Sequence, residues 1–482
     1  MNSLQLSLVS HTNAGKTTLA RTLLGREVGE VRDAPHVTEF ATDYELLRTP
    51  QGETLRLWDT PGFGDSVRLL KRMQQTGNPL GWFMSQVWDR WRDRPFWASQ
   101  QALRHVAETS DVVLYLVSAA EAPAAAAYVA SEMALLRWVG KPVIVLLNQL
   151  GVPRDAALEQ AEVQRWHEHL LPFEFVSHVL PLDAFARCWV QELVLLQALE
   201  QALQGERRAL MQRLGAAWVA QRLEVYRASV DALTQSMARL AGARVELAER
   251  GVLRGGLRKL GAALGLGADE RNPALLAQAA LAEQLGDEVR ANTAQLIQLH
   301  GLAGQAQAEL LQRLTEHFQL QLRLDEGKAA LVGGALTGAL VGLKADIASG
   351  GLTLGGGMLA GGLLGALGAA GLARAVNLVR GSDKSWVAWN DAALHAMLEA
   401  ALLRYLAVAH FGRGRGQWER AESAPHWPAA VQAALADEAD ALAAAWAQRD
   451  DAQALAARLQ PLVERALRAT VQRLYPQSPL PD

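Results

Sequence analysis

The sequence predicts a mostly parallel α/β sheet with helices on both faces over residues 1–205. An all-α region with a glycine-rich helical hairpin is expected to follow. Three observations carry that reading. Short apolar runs alternate with amphipathic stretches up to about residue 200, the pattern of strands joined by helical crossovers. The stretch "SHTNAGKTTL", Ser10 to Leu19, lies between the first apolar run and the first helical one. After Gly205 the chain turns almost purely helical, broken by two apolar, glycine-rich arms between Ala329 and Ala373.

"LQLSLV" reads as the first strand and "KTTLARTLLG" as the first helix. A phosphate loop between them would read G-x-x-x-x-G-K-[ST]. Gly15, Lys16 and Thr17 fit, and Ser10 stands where the first glycine is expected. That glycine only marks the start of the loop. The amides that cradle phosphate come mainly from Asn13, Ala14, Gly15, Lys16, Thr17 and Thr18. Lys16 is expected to span the β- and γ-phosphates, and Thr17 to ligate magnesium.

"PHVTEFATDYELL" follows, in which Thr38 could give a hydroxyl to magnesium and an N–H to the γ-phosphate, with Thr42 as competitor. "TLRLW" reads as a strand that delivers Asp59-Thr60-Pro61-Gly62. An aspartate there can hold the magnesium shell, and the Gly62 N–H can meet the γ-phosphate. A Trp-rich insert occupies about residues 70–105, with Trp88 and Trp91 on one helix face. It reads as a cover over the sheet or a dock for the helical region. A nucleotide-sensitive contact surface is the sharper alternative.

"DVVLYLV", "KPVIVLL" and "FVSHVLPL" complete the strands, with "EMALLRWV" and "VQELVLLQALEQAL" as helices. Asn148 and Gln149 end one strand, and Asp183 and Ala184 another. Strand ends of this kind form the ligand crevice of an α/β sheet.

Residues 206–327 read as a helical bundle or coiled coil. Leu223, Tyr226, Val230, Leu233, Met237, Leu240 and Leu247 hold heptad spacing, broken at Arg244, and bundle packing within the chain is favoured over a coiled-coil dimer. "RGVLRGGLRKLGAALG", from Arg250, is a basic connector.

Residues 328–381 form the expected hairpin. Gly334, Gly338 and Gly342, then Gly357, Gly361, Gly365, Ala369 and Ala373, recur every four residues, as in close-packed membrane helix pairs. Leu354 to Ala373 is long enough to cross a bilayer, whereas the first arm is short. Lys328, Arg374 and Arg380 flank the arms, which would leave both ends cytoplasmic. Membrane insertion or association is the favoured reading, and a soluble, tightly packed hairpin its alternative. Residues 382–482 return to amphipathic helix, with the basic stretch "HFGRGRGQW" at His410 to Trp418.

Composition excludes other classes. The 482 residues are 50% hydrophobic and 20% charged, as in globular chains, with net charge −3. No basic field argues for nucleic acid. The single cysteine, Cys188, forbids an internal disulfide framework and suits a reducing cytoplasm. The start "MNSLQLSLVSHT" lacks the features of a signal peptide.

"TNAGKTT" and "DTPG" resemble the P-loop GTPases of the branch containing the tRNA-modification GTPase, Era and the septins. The resemblance covers roughly Leu4 to Leu203. "NQLG" stands where N-K-x-D is expected, and "LDA" where S-A-[KL] is expected. The order of motifs, the Trp-rich insert and "HFGRGRG" look like a bacterial family that pairs this domain with a C-terminal domain of unknown function. The resemblance implies GTP and GDP as ligands, magnesium as cofactor, and slow hydrolysis as a molecular switch.

Two departures bear on that. Phe63 stands where a glutamine orients water in Ras-like enzymes, so hydrolysis would depend on a homodimer partner or a cation. In some relatives the asparagine matching Asn13 helps hold potassium. Gly151 stands where the family's aspartate reads guanine, which leaves the preference for GTP over ATP open. Asp183 is the candidate to replace part of that contact. The leading expectation is a bacterial GTPase, cytoplasmic and associated with the inner membrane. A dynamin-like membrane-remodelling oligomer and a non-hydrolysing nucleotide-binding scaffold are its rivals.

Overall fold

The computed structural model describes residues 2–25, 41–74, 94–150, 156–182, 189–247, 273–302, 376–380, 385–410, 426–476 and 480. The chain divides into two compact units. The first is Met1–Leu223 with His410–Glu419 and Tyr475–Asp482, and the second is Glu224–Ala409 with Arg420–Leu474.

The first unit runs β1 (Ser3–Ser10), α1 (Lys16–Leu24), β2 (Thr42–Arg48), β3 (Thr54–Asp59), α2 (Ser66–Gln74), α3 (Arg94–Thr109) and β4 (Val112–Ser118). It continues through α4 (Tyr128–Val139), β5 (Val143–Asn148), α5 (Ala156–Leu170), β6 (Val176–Pro181), α6 (Trp189–Ala202) and the start of α7 (Gly205–Gly242). The six strands lie in the order β2-β3-β1-β4-β5-β6. Only β2 is antiparallel, against β3, so the expected mostly parallel sheet is present. β4 and β5 are buried almost end to end. A parallel strand covered by helices on both faces needs a continuous apolar run, and "VVLYLV" and "VIVLL" supply it. The core between sheet and helices gathers Phe63, Leu69, Met73, Phe96, Val106, Tyr115 and Trp166.

β2 was not anticipated. "TDYELLR" is half exposed along its length, because an edge strand need not bury both faces. Thr42 opens it directly opposite Asp59. Behind the sheet, buried Glu192 on α6 accepts the Trp218 indole N–H at 2.5 Å and the Arg222 Nε at 2.9 Å from α7. This ties α6 to the part of α7 that belongs to the first unit.

The second unit is largely helical: the rest of α7, then α8 (Pro273–Leu299), α9 (Asp391–Ala409), α10 (Trp427–Asp437), α11 (Ala439–Trp446) and α12 (Ala452–Leu474). It also holds a small antiparallel sheet that was not expected. Its strands are β7 (Arg244–Glu246), β8 (Val376–Arg380) and β9 (Ser385–Trp389), in the order β7-β9-β8. The heptad stripe is therefore shorter than its spacing suggests. Tyr226, Val230, Leu233, Met237 and Leu240 are buried within the chain. The helix then ends at Gly242, and Arg244 begins a strand. Among the described residues α9 alone has the length and apolarity of a membrane span, and 72% of its apolar window is buried inside the chain. It is a core helix. The glycine arms, the Arg250 connector, most of the Trp-rich insert and "FGRGRGQW" lie outside the described residues.

Candidate functional site

The site forms where β1 and β3 end. β1 stops at Ser10, and α1 begins at Lys16. The loop between them turns through two left-handed residues, Asn13 (φ 67°) and Gly15 (φ 88°). Gly15 is required twice over. Its φ disfavours any side chain, and a Cβ there would lie 2.6 Å from the Asn148 side-chain nitrogen. That nitrogen donates to the Ala14 carbonyl at 2.8 Å. The end of β5 is thereby tied to the phosphate loop, with Gln149 (φ 58°) beside it. Ala14 and Thr18 are buried, whereas Asn13 is exposed.

Lys16 is buried, and its ammonium donates to Ser10 Oγ at 3.0 Å. Ser10 therefore gives the lysine an acceptor where the consensus loop has a glycine with none. Thr17 Oγ1 donates to Asp59 Oδ2 at 2.5 Å. Asp59 is buried, and its Oδ1 has no hydrogen-bond partner. Burial raises the Asp59 pKa, opposed by the charges of Lys16 and Arg21 and by the Thr17 bond. Burial also lowers the Lys16 pKa, opposed by Asp59 and Glu132.

Past Asp59 the chain lies along the phosphate loop. The Phe63 N–H donates to the Ser10 carbonyl at 2.9 Å, and the Phe63 carbonyl accepts the Thr12 N–H at 3.3 Å. A Cβ on Gly62 would lie 3.1 Å from both Lys16 Nζ and the Thr12 Cα. A larger residue there would crowd the loop, and its neighbours would have to shift by a few tenths of an ångström. The Phe63 ring is fully buried in the core, so it cannot act on a water molecule at the phosphate end. The next turn is held from α3, where Ser99 Oγ accepts the Gly64 and Asp65 N–H groups at 2.9 and 3.1 Å.

The structure thus brings together Ser10, Asn13, Ala14, Gly15, Lys16, Thr17, Thr18, Asp59, Gly62, Asn148 and Gln149. Thr38, Asp183, Ala184 and Gly151 lie outside the described residues. Sequence reasoning missed Glu132 and His11. Glu132 is the sole acid in the mostly apolar run "EMALLRWV", and that isolation was the available signal.

A sequence profile described as 50S ribosome-binding GTPase matches residues 5–149, and a domain of unknown function, DUF3482, matches residues 173–474. The GTPase Era of Heliobacterium modesticaldum is 26% identical over 172 residues, covering 35% of this chain and 48% of Era. The chain thus spans about half the length of that curated relative. Among solved structures, Aquifex aeolicus Era bound to GDP and AlF4⁻ is 19% identical with a TM-score of 0.32, over 42% of this chain and 58% of that one. NFeoB from S. thermophilus bound to mGMPPNP is 15% identical with a TM-score of 0.23, over 44% and 86%. Residues 5–149 form a P-loop GTPase domain, with DUF3482 behind it.

Proposed function

We propose that this chain, which belongs to the DUF3482 family and carries a P-loop GTPase domain ahead of that family's region, binds GTP and GDP and hydrolyses GTP slowly as a molecular switch. One observation carries the reading: Lys16, Thr17 and Asp59 are buried or half-buried together at the mouth of a glycine-dependent loop. Lys16 supplies a point charge for the β- and γ-phosphates, and the loop amides supply the remaining donors. Gly62 brings the second switch within reach of the same phosphate.

The residues fit magnesium. A threonine hydroxyl and a buried carboxylate with an unpartnered Oδ1 make a hard oxygen donor set. Thr17 and Asp59 would hold the ion, with Thr38 as a further candidate from the sequence. When bound, magnesium neutralises charge on the β- and γ-oxygens. Phe63 leaves the chain without a glutamine to orient water, which supports a low intrinsic rate and a need for a second copy or for potassium near Asn13.

The proposed layout is a GTPase domain over residues 1–205, a helical region over 206–327, a hairpin over 328–381 and a helical end over 382–482. The glycine repeat between Ala329 and Ala373 supports lipid contact at the cytoplasmic face of the inner membrane.

The deciding experiment identifies nucleotide co-purified with the protein, then measures GTP and ATP turnover with and without potassium and liposomes, for wild type and Lys16→Ala. Guanine nucleotide and slow phosphate release, both lost in the variant, are expected. Wild-type affinity in Lys16→Ala would sink the assignment. Deleting residues 328–380 should move the protein from the membrane pellet to the supernatant. Full-length protein that stays in the supernatant refutes the lipid contact.

A further inference from the structure

We propose that the Thr12 hydroxyl orients the attacking water in GTP hydrolysis, in the role that a glutamine would otherwise fill. The proposal rests on the nucleotide-binding and hydrolysis reading above.

Thr12 is fixed from both sides. Its N–H donates to the Phe63 carbonyl at 3.3 Å, and the Phe63 N–H donates to the Ser10 carbonyl at 2.9 Å. His11 and Phe63 thereby form a parallel bridge between the phosphate loop and the segment after Asp59. On the other side, His11 Nδ1 lies 2.8 Å from Oε1 of Glu132, a buried residue on α4, and the imidazole stacks on Tyr128 with ring centroids 4.4 Å apart. The Thr12 side chain stands where the loop faces Gly62. A Cβ on Gly62 would lie 3.2 Å from the Thr12 methyl and 3.1 Å from Lys16 Nζ. Threonine, lysine and glycine thus converge on one point, and Lys16 and Gly62 are the two groups expected to meet the γ-phosphate.

What singles out Thr12 is an uncommitted hydroxyl. The neighbouring hydroxyls are all used within the chain. Ser10 donates to the His11 carbonyl at 2.5 Å, Thr17 to Asp59 Oδ2 at 2.5 Å, and Thr60 to the Leu8 carbonyl at 2.6 Å. Thr12 Oγ1 makes no hydrogen bond to another described residue, and Thr12 is only half-buried. Phe63, at the glutamine position, has its ring fully buried in the core.

A hydroxyl is donor and acceptor at once. Its lone pair accepts from the water, and its own O–H donates to a γ-phosphate oxygen, as an amide would do with its carbonyl and its NH₂. The water oxygen so held forms the new bond to the γ-phosphorus. The bond to the bridging oxygen breaks, and its electron pair leaves with GDP. The two water protons pass to the phosphate product and solvent, and Thr12 ends the step protonated as it began. A hydroxyl offers one donor where an amide offers two, which agrees with slow turnover.

The test is single-turnover hydrolysis of magnesium-GTP by full-length wild type, Thr12→Val and Thr12→Ser in potassium buffer, with Kd for GDP and GTPγS from isothermal titration. Valine keeps the shape and the backbone contacts and loses only the hydroxyl. The rate constant should fall about tenfold or more in Thr12→Val, while both Kd values stay within about threefold. Thr12→Ser should recover most of the loss. Thr12→Ala, which also lacks the hydroxyl, decides the matter if Thr12→Val fails to fold. A wild-type rate in Thr12→Val overturns the proposal. So does an equal loss in the valine and serine variants, which assigns the effect to shape. So does weaker GTPγS binding at an unchanged rate, which makes Thr12 a binding group. Wild type that binds GTP without turnover defeats the hydrolysis reading, and wild type that binds no nucleotide defeats the nucleotide-binding reading; each takes this proposal with it.

Discussion

The two units bury polar side chains in different ways. In the first, Ser10, Lys16, Asp59, Thr60, Glu132 and Asn148 are all buried, and their contacts link residues far apart in sequence around one loop. Asp59 Oδ1 is left without a partner there. In the second, several buried hydroxyls turn back on their own helices. Ser229, Thr234 and Thr293 donate to carbonyls four residues earlier at 2.7, 2.8 and 2.6 Å. A hydroxyl satisfied by its own helix costs little and is available to no ligand. A buried carboxylate oxygen left open is costly. Burial of polar atoms thus ties distant segments together in one region and follows helix packing in the other.

The largest effect expected from this contrast is at Gly15. In Gly15→Ala, the added methyl meets the Asn148 side chain at a φ that alanine rarely adopts. The bond from Asn148 to the Ala14 carbonyl should break, and the loop amides should lose their common focus. We expect GTP affinity to fall by about a hundredfold or more, equivalent to roughly 3 kcal/mol, while the circular dichroism of the helical unit is kept. Near-normal binding would mean that the loop geometry is not what holds phosphate.

The converse is Leu233→Ala, in the middle of the buried stripe of α7. A Leu-to-Ala change in a packed core costs about 2–5 kcal/mol. Urea unfolding should show that loss, while nucleotide affinity measured on the folded protein stays within about twofold. A large affinity change would show that the two regions are energetically coupled.

How far the sequence revealed this contrast depends on the distance over which each feature is written. The phosphate loop, Asp59 and the parallel strands were legible, because each is a local run of residues whose chemistry or periodicity is self-contained. The edge strand Thr42–Arg48 was not, since its alternation is blurred by half-exposed polar residues. The small sheet pairs Arg244 with Ala388, across a gap that no local pattern spans. The heptad spacing ran on to Leu247 because spacing alone does not register that the chain leaves the helix at Gly242. His11 and Glu132 meet across 121 residues. Neither segment alone shows the pair, and the isolated acid at Glu132 is the one local sign of it.

The smallest effect concerns Arg404, the residue that most strains the comparison. It lies on α9 and is buried, and its Nη2 donates to a neutral acceptor, Asn292 Oδ1, at 2.8 Å. Its Nε has no hydrogen-bond partner. Asn292 in turn donates to the Ala232 carbonyl at 3.0 Å, so the arginine ends a short polar bridge across three helices. Burial pushes its pKa down to about 10, opposed by the charge of Glu288. The group remains charged at neutral pH and carries a desolvation cost that Glu288 only partly offsets. A folded pKa below the unfolded one means that this penalty is present at every pH below about 10 and is relieved only above it. Arg404→Met removes the penalty and keeps most of the volume, but leaves Asn292 Oδ1 unpaired at a cost of about 1–3 kcal/mol. The two effects nearly cancel. Chemical denaturation at pH 7 should place the variant within about 1 kcal/mol of wild type, and Arg404→Met with Asn292→Leu above the single variant. A loss above roughly 3 kcal/mol in the single variant would show that the bridge holds this bundle together. Buried polarity in the helical unit would then be as consequential as it is around the phosphate loop.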